Sequence, residues 1–277
     1  METQTGVTTP ARPSEAAFLT ADASTIAAVA PQTMVYAPGG TRRDAALAGI
    51  GGNGREFARW SRARMLGFVE MVFRHGVQHL FTGVITPNQW REVGSYRDQL
   101  LGWVAEGLAG PDALAEYAAR GWRVRLLGAA SIPELAETAD RLRAATPPSA
   151  QNTLWWWAIP TYDAVWAEIL AIARESGAQT RPELIRAMYG EDVPLVGMHI
   201  SFAKPEISPA HLPPLLMGQT QCYWTLRLGY NLPEDEFRKI LYDYAYLRPT
   251  WRADKTGRAE EALSYRGAWE QGPTLGV

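Results

Sequence analysis

Short apolar runs, each followed by a stretch of helical periodicity, recur through this chain and dictate its fold class. The runs are Thr33 to Ala37, Val77 to Val84, Trp122 to Leu127, Asn152 to Ile159, Leu195 to Phe202 and Gln221 to Leu228. From Arg55 to His75 the residues Phe57, Trp60, Met65, Phe68, Val69, Val72 and Phe73 recur at helical spacing, and Gly76 is a natural stop. Further helices are predicted from Trp90 to Leu108, Pro111 to Arg120, Pro133 to Ala144, Tyr162 to Glu175 and Pro233 to Ala245. One more starts at Thr180, a capping residue with Pro182 in the first turn behind it. Strands alternating with helices imply an α/β fold, a single domain with a largely parallel central sheet flanked by helices. Ligands of such sheets sit beyond the carboxyl ends of the strands.

Composition narrows the function classes. With 277 residues, 47% apolar and 20% charged, the chain can bury a sizeable core. A net charge of −2 gives no electrostatic case for nucleic acid. The single cysteine, Cys222, excludes an internal disulfide and a cysteine metal cluster. No run reaches the roughly 18 apolar residues of a membrane span, and the amino terminus lacks a secretory pattern, so the expected location is cytoplasmic. Residues 1–31, rich in Ala, Thr and Pro, read as a mobile arm; 32–248 form the catalytic domain and 249–277 a polar tail.

The first strand breaks at Pro38-Gly39-Gly40 and restarts as a helix carrying Arg42 and Arg43. Glycines let backbone approach a ligand closely. Amides of Gly40 and Thr41 then favour an anion, and two guanidinium groups suit the oxygens of a diphosphate. Asp44, one residue past the arginines, is the nearest carboxylate and a candidate catalytic acid, unless it merely sits in the first turn of the helix, where a negative charge is favoured. Gly49-Ile50-Gly51-Gly52-Asn53-Gly54 matches a dinucleotide pattern, but the strand ends too early for that fingerprint, and the segment reads as a loop. His75 and His79 are split by Gly76 and do not share a helix face; His199 reads as a core histidine.

These landmarks, in this order, resemble the cis-prenyltransferase family of the undecaprenyl diphosphate synthase type. Gly39-Gly40-Thr41-Arg42-Arg43 stands where that family has Asp-Gly-Asn-x-Arg. His75-Gly76-Val77, Thr86-Pro87-Asn88-Gln89-Trp90, Val124-Arg125-Leu126-Leu127-Gly128 and the Asn152 to Ala158 strand follow in the family's sequence. The last third is similar to the tuberculosinyl adenosine diterpene synthases, in Arg186 to Glu191, Pro214 to Thr225 and above all Arg238 to Arg248. The resemblance implies a prenyl diphosphate substrate and a homodimer, with the Arg238 to Arg248 segment near the partner or the mouth of the site. It implies Arg55 as a further cation and an aromatic lipid tunnel drawn from Trp90, Trp103, Trp155, Trp156, Trp157, Tyr223 and Trp224. Tyr242, Asp243, Tyr246 and Arg248 could equally form a lid, a partner contact or an active-site base.

The departures are as informative. Gly39 replaces an aspartate that serves the diphosphate in these relatives, so magnesium, the family's ion, loses a ligand and the metal site is left open. Phe57 replaces a tyrosine. Gly218-Gln219, Gln221 and Tyr223 stand where a second phosphate pocket would be, which argues against chain elongation. The reading is a terpene synthase that ionises one C15 or C20 prenyl diphosphate. The cation then loses a proton, cyclises or is captured by a nucleophile. The alternatives are prenyl transfer to an acceptor, irregular coupling of prenyl diphosphates, or a non-catalytic partner subunit.

Overall fold

Successive strand residues point to opposite faces, and the two faces of the central sheet carry two different cores. The computed structural model describes residues 12–51, 54–92, 95–247, 256–257, 259–260, 263 and 266–270. Strands β1 (Thr33–Ala37), β2 (His79–Ile85), β3 (Arg123–Leu127), β4 (Thr153–Ala158), β5 (Met198–Phe202) and β6 (Gln221–Thr225) form one sheet in the order β3-β4-β2-β1-β5-β6. Every neighbouring pair is parallel, so all the carboxyl ends share one edge. The chain leaves β1 toward β2 and reaches the other side of β1 only at β5, which makes the end of β1 the switch point of the sheet.

On one face Met34, Tyr36, Leu80, Leu154, Trp156 and Ile200 pack with α4 (Gly54–Arg74) and α6 (Ser95–Ala109). On the other, Val35, Phe81, Trp155 and Trp157 pack with α9 (Tyr162–Ser176) and α10 (Arg181–Tyr189). Local chemistry sets these helix ends. Thr180 and Glu183 form a reciprocal capping box at the start of α10, and Gly177 and Gly190 end α9 and α10 in the left-handed conformation. The remaining helices are α1 (Glu15–Leu19), α2 (Ala23–Ala27), α3 (Thr41–Leu47), α5 (Pro87–Trp90), α7 (Pro111–Ala119), α8 (Ala136–Ala145), α11 (Glu234–Tyr246) and α12 (Arg266–Glu270).

Two expectations differ from the structure. The single helix over Trp90 to Leu108 is two, because a capping box of Thr86 and Gln89 starts α5 early and α5 closes with its C-cap at Arg91, while α6 runs from Ser95. The amino-terminal arm is packed from Arg12 onward. Phe18 and Ile26 are buried, and α11 holds the arm through Arg238, which donates to the carbonyls of Leu19 (3.0 Å) and Ala21 (2.7 Å). Only one large apolar residue per short helix is buried there, too few to produce a periodic signal. Residues 1–11, Arg248 and most of the tail lie outside the described residues.

Candidate active site

The turn that ends β1 is constrained at both glycines. Gly40 has φ +71°, and a Cβ on it would stand 2.6 Å from Leu228 Cδ2. Gly39 accepts a 2.7 Å hydrogen bond from the Gly229 amide, which ties the turn to the chain after β6. Behind them, Arg43 places its guanidinium carbon 5.2 Å from the Phe202 ring centroid, a cation–π contact worth about 0.5–2 kcal/mol.

Gly39, Gly40, Thr41, Arg42 and Arg43 form one end of a cavity of about 740 Å³ between α4, α6 and the sheet. This lies within the ~300–1,000 Å³ of typical small-molecule sites. Its wall continues through Phe57 and Met65 of α4, Leu100, Trp103, Val104 and Leu108 of α6, Trp156 of β4, and Tyr230. Ser61, Arg62, Thr86 and Gln89 are the polar side chains along it. Arg62 is mostly buried and pairs with Asp112 at 3.0 Å. A smaller cavity of about 310 Å³ reaches Gly39 from the opposite face of the sheet and is lined by Asn88, Trp157, Ser201, Phe202 and Lys204 among others.

Several predicted site residues lie elsewhere. Asp44 is buried and turned away from the cavity; Asn231 Nδ2 donates to its Oδ1, and Arg64 Nε lies 3.6 Å from its Oδ2. It anchors α3 to the loop after β6. Arg55 is exposed at the start of α4 and outside both cavity walls; seven residues, or about 10 Å of helix, separate it from Arg62. Trp155 faces the second core, with its ring 5.5 Å from Phe81 and 5.3 Å from Tyr189. Trp157 shares that face and lines only the smaller cavity. Trp90 packs beneath Arg97, 4.4 Å from its guanidinium carbon. Tyr223 lies on β6 and donates to Asp243 of α11 at 2.8 Å. Tyr242 and Tyr246 pack on Phe18, so the α11 cluster secures the arm.

No family profile matches the chain. Among solved structures it is similar to lavandulyl diphosphate synthase from Lavandula x intermedia (TM-score 0.61, 13% identity, 79% of this chain and 97% of that one). It is likewise similar to a probable undecaprenyl diphosphate synthase from Campylobacter jejuni (TM-score 0.58, 15% identity, with the same coverage of 79% and 97%). These likenesses show the fold, that of the cis-prenyltransferases. By sequence, 69 residues are 41% identical to the tuberculosinyl adenosine transferase of Mycobacterium tuberculosis, over 25% of this chain and 23% of that protein. Along nearly its whole length it is 45% identical to the (+)-kolavelool synthase of Herpetosiphon aurantiacus, over 266 residues, 96% of this chain and 92% of that protein. The chain belongs to the kolavelool synthase family of terpene synthases.

As a member of this family it is an enzyme, and its cavity can be judged for a metal on its own donors. The residues lining the larger cavity do not fit a protein-held magnesium ion. Magnesium takes oxygen ligands in a near-octahedral set, usually with one or two carboxylates. Gly39 has no side-chain oxygen, Asp44 points away, and among the described residues the wall of the larger cavity carries no carboxylate. No group of three or more His, Cys, Asp and Glu suited to a metal occurs among the described residues either. No helix there is long and apolar enough to cross a membrane.

The sequence reading of this family member missed Arg62, Phe202 and Tyr230. Arg62 was detectable, since Phe57, Ala58, Ser61, Arg62 and Met65 share one helical face. Phe202 and Tyr230 reach Gly39 only through the fold.

Proposed function

We propose that this enzyme ionises a single C20 prenyl diphosphate and that water captures the cation. The observation that carries the reading is the cavity itself, with an arginine pair at a glycine turn at one end and aromatic and aliphatic walls beyond. Positive groups at Arg42 and Arg43 stabilise the charge that develops on the departing diphosphate, the larger electrostatic demand of such a step. Trp103, Trp156, Phe57 and Tyr230 line the cavity, and aromatic rings stabilise a nearby cation. The C20 length and the alcohol outcome follow from likeness to a kolavelool synthase, whose name denotes a diterpene alcohol. Any magnesium in the reaction arrives with the diphosphate, because the described residues lining the larger cavity offer it no carboxylate.

Incubation with geranyl, farnesyl and geranylgeranyl diphosphates, following diphosphate release and extracted products, tests this reading. Release of diphosphate with a terpene alcohol or hydrocarbon is the expected result. No release from any of them, or products lengthened by five-carbon units when isopentenyl diphosphate is added, overturns it. A second reading, prenyl transfer to an acceptor, draws on the smaller cavity, which meets the larger one at Gly39, Gly83 and Thr86. The homodimer belongs to the same proposal: Tyr162, Trp166 and Leu170 form an exposed apolar stripe on α9, 40%, 48% and 57% accessible.

A further inference from the structure

Besides Arg42 and Arg43, one more cation stands in the described wall of the larger cavity: Arg62, on α4. Ala58 and Met65, one helical turn to either side of it, line the same wall. The cavity face of α4 is therefore apolar except at Ser61 and Arg62. The Arg62 side chain is 15% accessible, and its Nη2 donates to Asp112 Oδ2 at 3.0 Å. Asp112 lies outside the wall and is 77% accessible. An ion pair with so exposed a partner adds little stability, so it does not account for a charge kept among Leu100, Trp103, Val104 and Trp156.

That charge restricts which part of a prenyl diphosphate can lie against it. A guanidinium group beside an allylic cation raises the cation's energy, because like charges repel more strongly as the dielectric falls. The diphosphate is the part that a buried arginine favours. The position of Arg62 along α4 agrees with this. Arg64 Nε lies 3.6 Å from Oδ2 of Asp44, in the first turn of α3, where Arg42 and Arg43 also stand. Arg62 precedes Arg64 by two residues, about 3 Å of helix axis, so α4 carries it to the level of the arginine pair. Among the described residues the wall then holds three arginines and no carboxylate.

We infer that Arg62 is a third diphosphate-binding arginine, meeting the leaving group from α4 while Arg42 and Arg43 hold it from α3. The inference rests on the ionisation reading above. As the carbon–oxygen bond breaks, its electron pair stays on the diphosphate oxygen. Arg62 stabilises that charge by hydrogen bonding and gives up no proton. Asp112 is a positioning residue that holds the guanidinium group from outside the wall.

The experiment is calorimetric titration with inorganic diphosphate of the wild type, Arg62→Met, Arg62→Gln and Asp112→Asn, with kcat/KM for the prenyl diphosphate measured alongside. Arg62→Met keeps the apolar stem and removes the charge. Its Kd for diphosphate rises about ten- to a hundredfold, the worth of one charge-assisted contact, and kcat/KM falls in parallel. Arg62→Gln removes the charge with a polar stem and loses as much, so it tests the inference even where Arg62→Met folds poorly. Asp112→Asn breaks the ion pair but leaves the arginine, and shifts Kd by less than about fivefold. A purely structural tie between α4 and α7 would make Asp112→Asn as harmful as either Arg62 variant. Wild-type affinity and kcat/KM in a folded Arg62 variant, or an equal loss in Asp112→Asn, overturns the inference while the ionisation reading stands. A wild type that neither binds inorganic diphosphate nor releases it from a prenyl diphosphate overturns both.

Discussion

A Cβ on Gly39 would stand 2.3 Å from Cδ1 of Phe202 and 2.9 Å from its Cβ. The Phe202 side chain therefore fills the room a residue with a side chain would need at position 39. Phe202 is itself fixed: the next residue, Ala203, has φ +70° and donates to the Thr225 carbonyl at 2.9 Å. Gly39→Ala should lower stability by about 1–3 kcal/mol through overpacking. In a Phe202→Ala background the same change should cost little. Urea midpoints of the four proteins in this cycle measure the coupling, and additive effects would contradict the steric account.

Arg42→Ala and Arg43→Ala should each weaken diphosphate handling by roughly ten- to a hundredfold in kcat/KM, the worth of a charge-assisted contact of about 1.5–3 kcal/mol. Far-ultraviolet circular dichroism should remain that of wild type, because both side chains are exposed on α3. Turnover unchanged in the double variant would move the site away from this turn.

Chelation should leave activity that free magnesium raises without being held by the chain. Asp44→Asn should not alter that response, since Asp44 faces Asn231 and Arg64. Asp44→Ala should instead cost stability, about 1.5–3 kcal/mol for a charged hydrogen bond. A metal response that disappears in Asp44→Asn would show that the helix shifts to present this carboxylate.

Stability should fall as the pH drops from about 6.5 toward 4. His79, next to Arg123 and 3.8 Å from Glu191, is pushed down to about 4, first by burial and then by the Arg123 charge. His199, with neither ring nitrogen bonded, is also pushed down to about 4, by burial and by neighbouring His211. Between the two pKa values the unfolded chain binds the proton and the folded chain does not, so each histidine removes up to ~3 kcal/mol over this window. The stability they lend is complete above pH 6.5. Denaturant midpoints across this range should flatten in the His79→Gln, His199→Gln double variant.

The α9 stripe predicts that Trp166→Glu yields a monomer by light scattering where the wild type is a dimer at micromolar concentration. A wild type that is already monomeric would remove the homodimer from the proposed function.

What the sequence determined by itself is local or periodic. The six strands, the parallel sheet and most helix ends were legible because strand and helix periods, caps and glycine stops depend on residues within a few positions of each other. The Gly39 to Arg43 turn was legible for the same reason: its anion-binding groups are contiguous. The alternation of Trp155, Trp156 and Trp157 was also readable, but which face would enclose the cavity was not. The packing of α4 and α6 over the Trp156 side decided that, leaving Trp155 against Tyr189 and Trp157 beside the smaller cavity. Tertiary structure alone turned Asp44 toward Asn231 and set Phe202 against Gly39. Each of these pairs joins residues more than a hundred positions apart. Their meeting follows from the strand order and from where the chain returns after β6, which no sequence period encodes.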